Sequence, residues 1–211
     1  MFGDTHKIIA SNIHESVRRT YDIELDKKKL LWGSVAPDIL PQLKIHRHYE
    51  KESLDFVVNE IAKLIFLSRF VNLDGKLDPI VNRYISKKIG MISHFLSDFV
   101  CLPHFERWTF AGSMFKHMSY ESKLNRYAKY HDFKRNVIDV DDVDIFQDKN
   151  INIKEIIKSY IENVIEEYSI NEGFKNDLDF SLSLNIKISY FIIDTIKVYN
   201  EAMKKEFAFD F

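Results

Sequence analysis

One cysteine, 4 prolines and 6 glycines are few for 211 residues. Cys101 alone cannot close an internal disulfide, and a thiolate metal cage is excluded with it. A single thiol suits a reducing compartment. Scarce Pro and Gly also leave no room for the turn-punctuated short strands of an all-β chain. An excess of charge of one sign is missing as well. The 30 Lys and Arg stand against 32 Asp and Glu, a formal charge of −2. No basic field therefore draws the chain to nucleic acid, and that partner is disfavoured. Long apolar runs are absent too: the stretch 61–71 is interrupted by Lys63 and Arg69 and is too short to span a bilayer. The opening Met1-Phe2-Gly3-Asp4-Thr5-His6-Lys7 has no charged leader followed by an apolar run. No signal peptide or transmembrane segment is expected, and the cytoplasm is the default location.

What is present is helical periodicity. Hydrophobic residues make up 45% and charged residues 29%, which is the balance of a globular chain able to bury one core. Asp4 reads as an N-cap for a helix with Ile8, Ile9, Ile13 and Val17 on one side. A short helix is expected over 26–32, stopping at Gly33. Pro37 and Pro41 predict an irregular segment through His48. Further helices are predicted over 52–72, from Asp78-Pro79 to Cys101, and over 113–130, 153–168 and 178–205. Pro103 ends the second of these. The acidic stretch 139–150 reads as a solvated loop; it lacks the central glycine and distal glutamate of a calcium loop. The expectation is an all-α fold, a single compact multi-helix domain over 1–211.

Two pairs carry the chemistry. His94 and Asp98 are four apart in one predicted helix, and His117 and Glu121 are four apart in the next. Such spacing puts both side chains on one helical face, where they can chelate one ion. Phe95, Leu96, Phe99 and Val100 leave the first helix almost no polar side, so His94 and Asp98 should be buried. A buried carboxylate needs a partner of opposite charge, and a metal is one. His104 falls just past the helix end. Imidazoles and carboxylates without thiolate suit a catalytic zinc site more than a structural one. A buried network of hydrogen-bonded His–Asp pairs is the alternative. Upstream, Asp38 in Gly33-Ser34-Val35-Ala36-Pro37-Asp38-Ile39 and the imidazoles of His46-Arg47-His48-Tyr49 can be either site residues or a solvated turn. His14 and His131 read as structural or exposed.

Taken in order, Gly90-x-x-x-His94-Phe95-Leu96-x-Asp98, His104 and His117-x-x-x-Glu121 resemble the zinc-dependent phospholipase C family. That family includes the bacterial phosphatidylcholine-preferring phospholipases and the catalytic domain of clostridial alpha-toxin, and is related in fold to P1-type nucleases. The Asp38 segment and the pair His48-Tyr49 are similar to its aspartate segment and the His-aromatic pair that follows. The likeness runs from about residue 5 to 125. It implies two or three zinc ions: one held by His48, His94 and Asp98, one by His104, His117 and Glu121, and a third by His6 with Asp98 bridging. In the family the processed N-terminal residue, usually tryptophan, also chelates the third ion. This chain has Met1-Phe2 there, with Asp4 and the Met1 amine as the available substitutes.

The resemblance further implies a phosphoric-ester hydrolase that uses a metal-activated water to cleave a phosphodiester. Asp38 would orient or deprotonate that water and can also touch a zinc. The substrate expected is a phospholipid or a small soluble phosphodiester. Two alternatives stand beside it: a P1-type nuclease, and a metal-stabilised binding protein without activity.

Overall fold

The computed structural model describes residues 1–75, 77–108, 112–142 and 152–206. Ten α-helices stand among them. The first, α1 (Gly3–Tyr21), buries Ile9, Ile13 and Val17 on one stripe, and His6 lies on the same stripe. The apolar face that packs the helix thus carries an imidazole inward. Asp4 is not the N-cap expected of it. Phe2 takes that position without a side-chain cap, and Asp4 sits exposed in the first turn, where a carboxylate favours the helix dipole.

Asp26, expected as the first residue of the second helix, is instead the N-cap of α2 (Lys27–Gly33), accepting from the Lys29 amide. The segment expected to be irregular instead folds into two single turns, α3 (Ala36–Ile39) and α4 (Pro41–Lys44). Each has its proline at the first or second helical position, where the missing N–H costs nothing. Then come α5 (Glu50–Ser68) and α6 (Pro79–Phe99), the latter capped by Asp78, whose carboxylate accepts from the amides of Ile80 and Val81. Pro103 does not simply end the chain's helical run; it starts another single turn, α7 (Leu102–Phe105). The remainder is α8 (Met114–Ala128), α9 (Ile153–Tyr168) and the 33-residue α10 (Phe174–Glu206).

At the centre is α6. From Ile89 to Phe99 every residue is buried, so this helix is enclosed on all sides, by α1, α2, α3, α5, α7 and α10. Phe95, Leu96 and Phe99 are fully buried there, each contributing about 1.5–3 kcal/mol by burial. Helices α2 and α6 approach tightly at Gly33 and Gly90. A Cβ on Gly33 would lie 2.2 Å from the Lys87 carbonyl oxygen, and one on Gly90 2.2 Å from that of Leu30. No described helix is long and apolar enough to cross a membrane. Of the acidic stretch 139–150, residues 139–142 run along α9, where the Glu167 carboxylate accepts from the amides of Asp139 and Val140; 143–150 lie outside the described residues.

Candidate metal centre

Both i,i+4 pairs point into the same interior space. His94 and Asp98 on α6 are completely buried. The C-cap of α2, Ser34, presents its carbonyl oxygen 2.8 Å from His94 Nδ1. A carbonyl only accepts, so Nδ1 carries the proton and Nε2 is left with a bare lone pair. That lone pair faces Asp98 Oδ2 at 3.4 Å, His48 Nδ1 at 3.2 Å and Asp38 Oδ1 at 3.7 Å. His6 stacks on the His94 ring with centroids 4.0 Å apart. Its Nε2 lies 3.4 Å from Asp98 Oδ1, yet both its ring nitrogens are buried without a hydrogen bond.

On the opposite side His104, from α7, and His117 and Glu121, from α8, come together. His117 Nδ1 bonds the Trp108 carbonyl at 3.1 Å, which aims Nε2 at Glu121 Oε1, 2.9 Å away. His104 Nε2 approaches the same oxygen at 3.0 Å and Asp98 Oδ1 at 3.6 Å. Asp98 therefore sits between the halves, Oδ2 toward His48 and His94 and Oδ1 toward His6 and His104. The Met1 amine occupies the seam, 2.5 Å from Asp98 Oδ1, 2.9 Å from Glu121 Oε1 and 3.2 Å from His104 Nε2.

The protonation states follow from these neighbours. Burial, helped by the charge of His6, holds the His94 pKa well below the usual imidazole value, and burial also lowers His104. Burial by itself would raise Asp98. His104, the Met1 amine, His6 and His94 outweigh it and keep Asp98 ionised. Glu121 is likewise lowered against its burial, chiefly by the Met1 amine and the bonds from His104 and His117. Burial and then the charge of Asp98 raise Asp38. His117 is raised, first by its bond to Glu121.

Neutral His94 and His104 beside ionised Asp98 and Glu121 are the state that metal binding requires. A hydrogen-bonded network fits less well. With Nδ1–H committed to Ser34, His94 turns an acceptor toward the Asp98 carboxylate, and burial disfavours the second proton that would join them. Removing a charge from water costs several kcal/mol, against about 0.5–1.5 kcal/mol net for one hydrogen bond. A cation among these atoms resolves the mismatch. Three sets have donor atoms mutually within 4.8 Å: His6, His94 and Asp98; Asp38, His48 and His94; and His104, His117 and Glu121.

All eight residues singled out by sequence thus converge. His46 turns away and stacks on Phe56 at 3.7 Å. His14 is buried with Nε2 3.1 Å from the Leu25 carbonyl oxygen, and His131 pairs with Asp179 at 2.6 Å. Sequence reasoning missed the orienting carbonyls of Ser34 and Trp108, which no side-chain pattern marks. It also missed Asp177, buried on α10 in a polar stripe with Ser181 and Asn185; that i,i+4 stripe of small polar residues was the available signal.

Comparison with protein families finds a match to the model described as zinc dependent phospholipase C over residues 5–174. No curated protein and no solved structure matches the chain.

Proposed function

Because this chain belongs to the zinc-dependent phospholipase C family, we propose that it hydrolyses a phosphodiester bond of a phospholipid-like substrate at the buried His–carboxylate cluster. The observation that carries this reading is the His94 Nε2 lone pair turned toward ionised Asp98, with His104 and His117 converging on ionised Glu121 beside it. In it, two or three zinc ions are held: by His48, His94 and Asp98, with Asp38 beside them; by His104, His117 and Glu121; and by His6 with Asp98. Bound zinc supplies positive charge to the phosphate oxygens and lowers the pKa of water.

The chain's own groups do the rest. Ser34 and Trp108 fix the tautomers of His94 and His117 through their carbonyls. Asp38 is the most open of the carboxylates, with 43% of its side chain exposed. It stands where it can orient the attacking water and take its proton. The segments that bring Asp38, His48 and His117 also expose apolar side chains. Ile39, Ile45 (75%), Phe115 (92%) and Met118 lie within three residues of one of the three in sequence. Such neighbours suit acyl chains, and the exposed Arg47 and Lys116 in the same segments suit the phosphate of a headgroup.

The test is turnover by fully zinc-loaded protein on monomeric short-chain phosphatidylcholine, bis-p-nitrophenyl phosphate and single-stranded nucleic acid. The lipid should be cleaved at least about ten times faster than the nucleic acid, and Asp38→Asn should lower turnover by roughly 10²–10⁴-fold with metal retained. Faster cleavage of nucleic acid would replace the lipid reading with the nuclease one. Inactivity on all three, with metal bound, would leave a metal-stabilised binding protein.

A further inference from the structure

Asp177 lies outside the donor cluster, in the first turn of α10, and is fully buried. Its Oδ1 accepts from the Tyr168 hydroxyl at 2.7 Å. Its Oδ2 accepts from the Tyr120 hydroxyl at 2.8 Å and the Leu102 amide at 3.3 Å. The Cys101 thiol is a fourth neighbour, one that favours the charged carboxylate. These four are neutral groups on or beside three different helices.

What they belong to gives the arrangement its meaning. Leu102 opens α7, a single turn whose own N-cap residue, Cys101, makes no side-chain cap bond. Asp177 meets that exposed amide from α10, as a local cap would. The ligand α7 carries is His104. Tyr120 immediately precedes Glu121 on α8, and its ring packs between Trp108 and Phe174. One carboxylate therefore holds both helices that bring His104, His117 and Glu121 together. An asparagine has a single acceptor oxygen and could not serve the donors on both sides. The burial is also costly: it pushes the Asp177 pKa up to about 6 despite these neighbours, so near neutral pH an ionised group is kept in the interior.

Building on the metal reading above, we propose that Asp177 is a positioning residue for the His104–His117–Glu121 set. It acts through Leu102 and Tyr120, without touching metal or substrate. Its loss should loosen that set and leave His6, Asp38, His48 and His94 in place.

The experiment titrates Zn²⁺ and, separately, Co²⁺ into chelator-stripped wild type, Asp177→Asn and Tyr120→Phe, following metal content, the visible cobalt band and thermal melting. The wild type should bind at least two metals. In both variants one metal should weaken by about 10–100-fold with an altered cobalt band, while the other binds as in the wild type. Tyr120→Phe keeps the packed ring, so it decides the matter should Asp177→Asn fail to fold. Folded variants that bind every metal like the wild type overturn the assignment. Equal weakening of all metals does so too, since it would mark a general structural role. A wild type that binds no metal overturns the metal reading itself, and this assignment with it.

Discussion

His46 and His48 are two residues apart and chemically alike, yet they meet opposite surroundings. His48 Nδ1 is 2.9 Å from Asp98 Oδ2, whereas His46 lies flat against Phe56 with an interplanar angle of 14°. The first contact needs an imidazole N–H or a cation between the two atoms; the second needs only a flat ring, a preference of about 0.5–1.5 kcal/mol. His48→Ala should therefore lose bound zinc, and His46→Ala should keep it with a small loss of stability. Metal content after reconstitution measures both. Equal loss, or loss only in His46→Ala, would mean that the wrong imidazole has been assigned to the centre.

At the scale of elements, the crossing of α2 and α6 sets the position of His94. Its Nδ1 is held by Ser34, the residue after Gly33, and Gly90 lies one turn before it on α6. A methyl group on either glycine would meet backbone oxygen at 2.2 Å, and backbone cannot rotate aside as a side chain can. In an open helix Gly90→Ala would stabilise by up to about 1 kcal/mol. Here overpacking of about 1–3 kcal/mol opposes it, and the helices must separate. Gly90→Ala is expected to lower the unfolding free energy in denaturant and to weaken zinc binding, because the Ser34–His94 bond stretches with the gap. A variant more stable than the wild type would show that the crossing is looser than this geometry.

For the molecule as a whole, the candidate ligands are spread over α1, α3, α6, α7, α8 and the segment before α5. Metal bound there ties residues 6–121 together, and its binding energy becomes folding energy. At free zinc a hundredfold above Kd the gain is about 2.7 kcal/mol, or about 5–10 °C in Tm for a chain this long. Calorimetry after dipicolinate treatment should show that loss, and added zinc should restore it. An unchanged Tm in zinc-binding protein would mean that the metal sits elsewhere than in this core.

The helices, their all-α class and the two His–carboxylate pairs were legible in the sequence because they depend on local spacing. Four residues along any helix return a side chain to the same face, whatever surrounds it. Asp78 as a cap belongs to the same class of local fact, although Asp4, read in the same way, does not cap α1. The family resemblance added that His6, Asp38, His48 and His104 belong with those pairs. Other features were decided between elements. Pro37, Pro41 and Pro103 could end helices or begin them, and the packing of single turns against α2, α6, α8 and, for α4, against α3 chose the second. His46 and His48 were separated by which one met Phe56 and which met Asp98. Asp177 became a tie between α7 and α8 only once α10 lay beside both. Short-range order follows from backbone geometry, which each residue carries with it. Which groups share a buried space follows from how whole helices close on one another, and no local spacing encodes that distance.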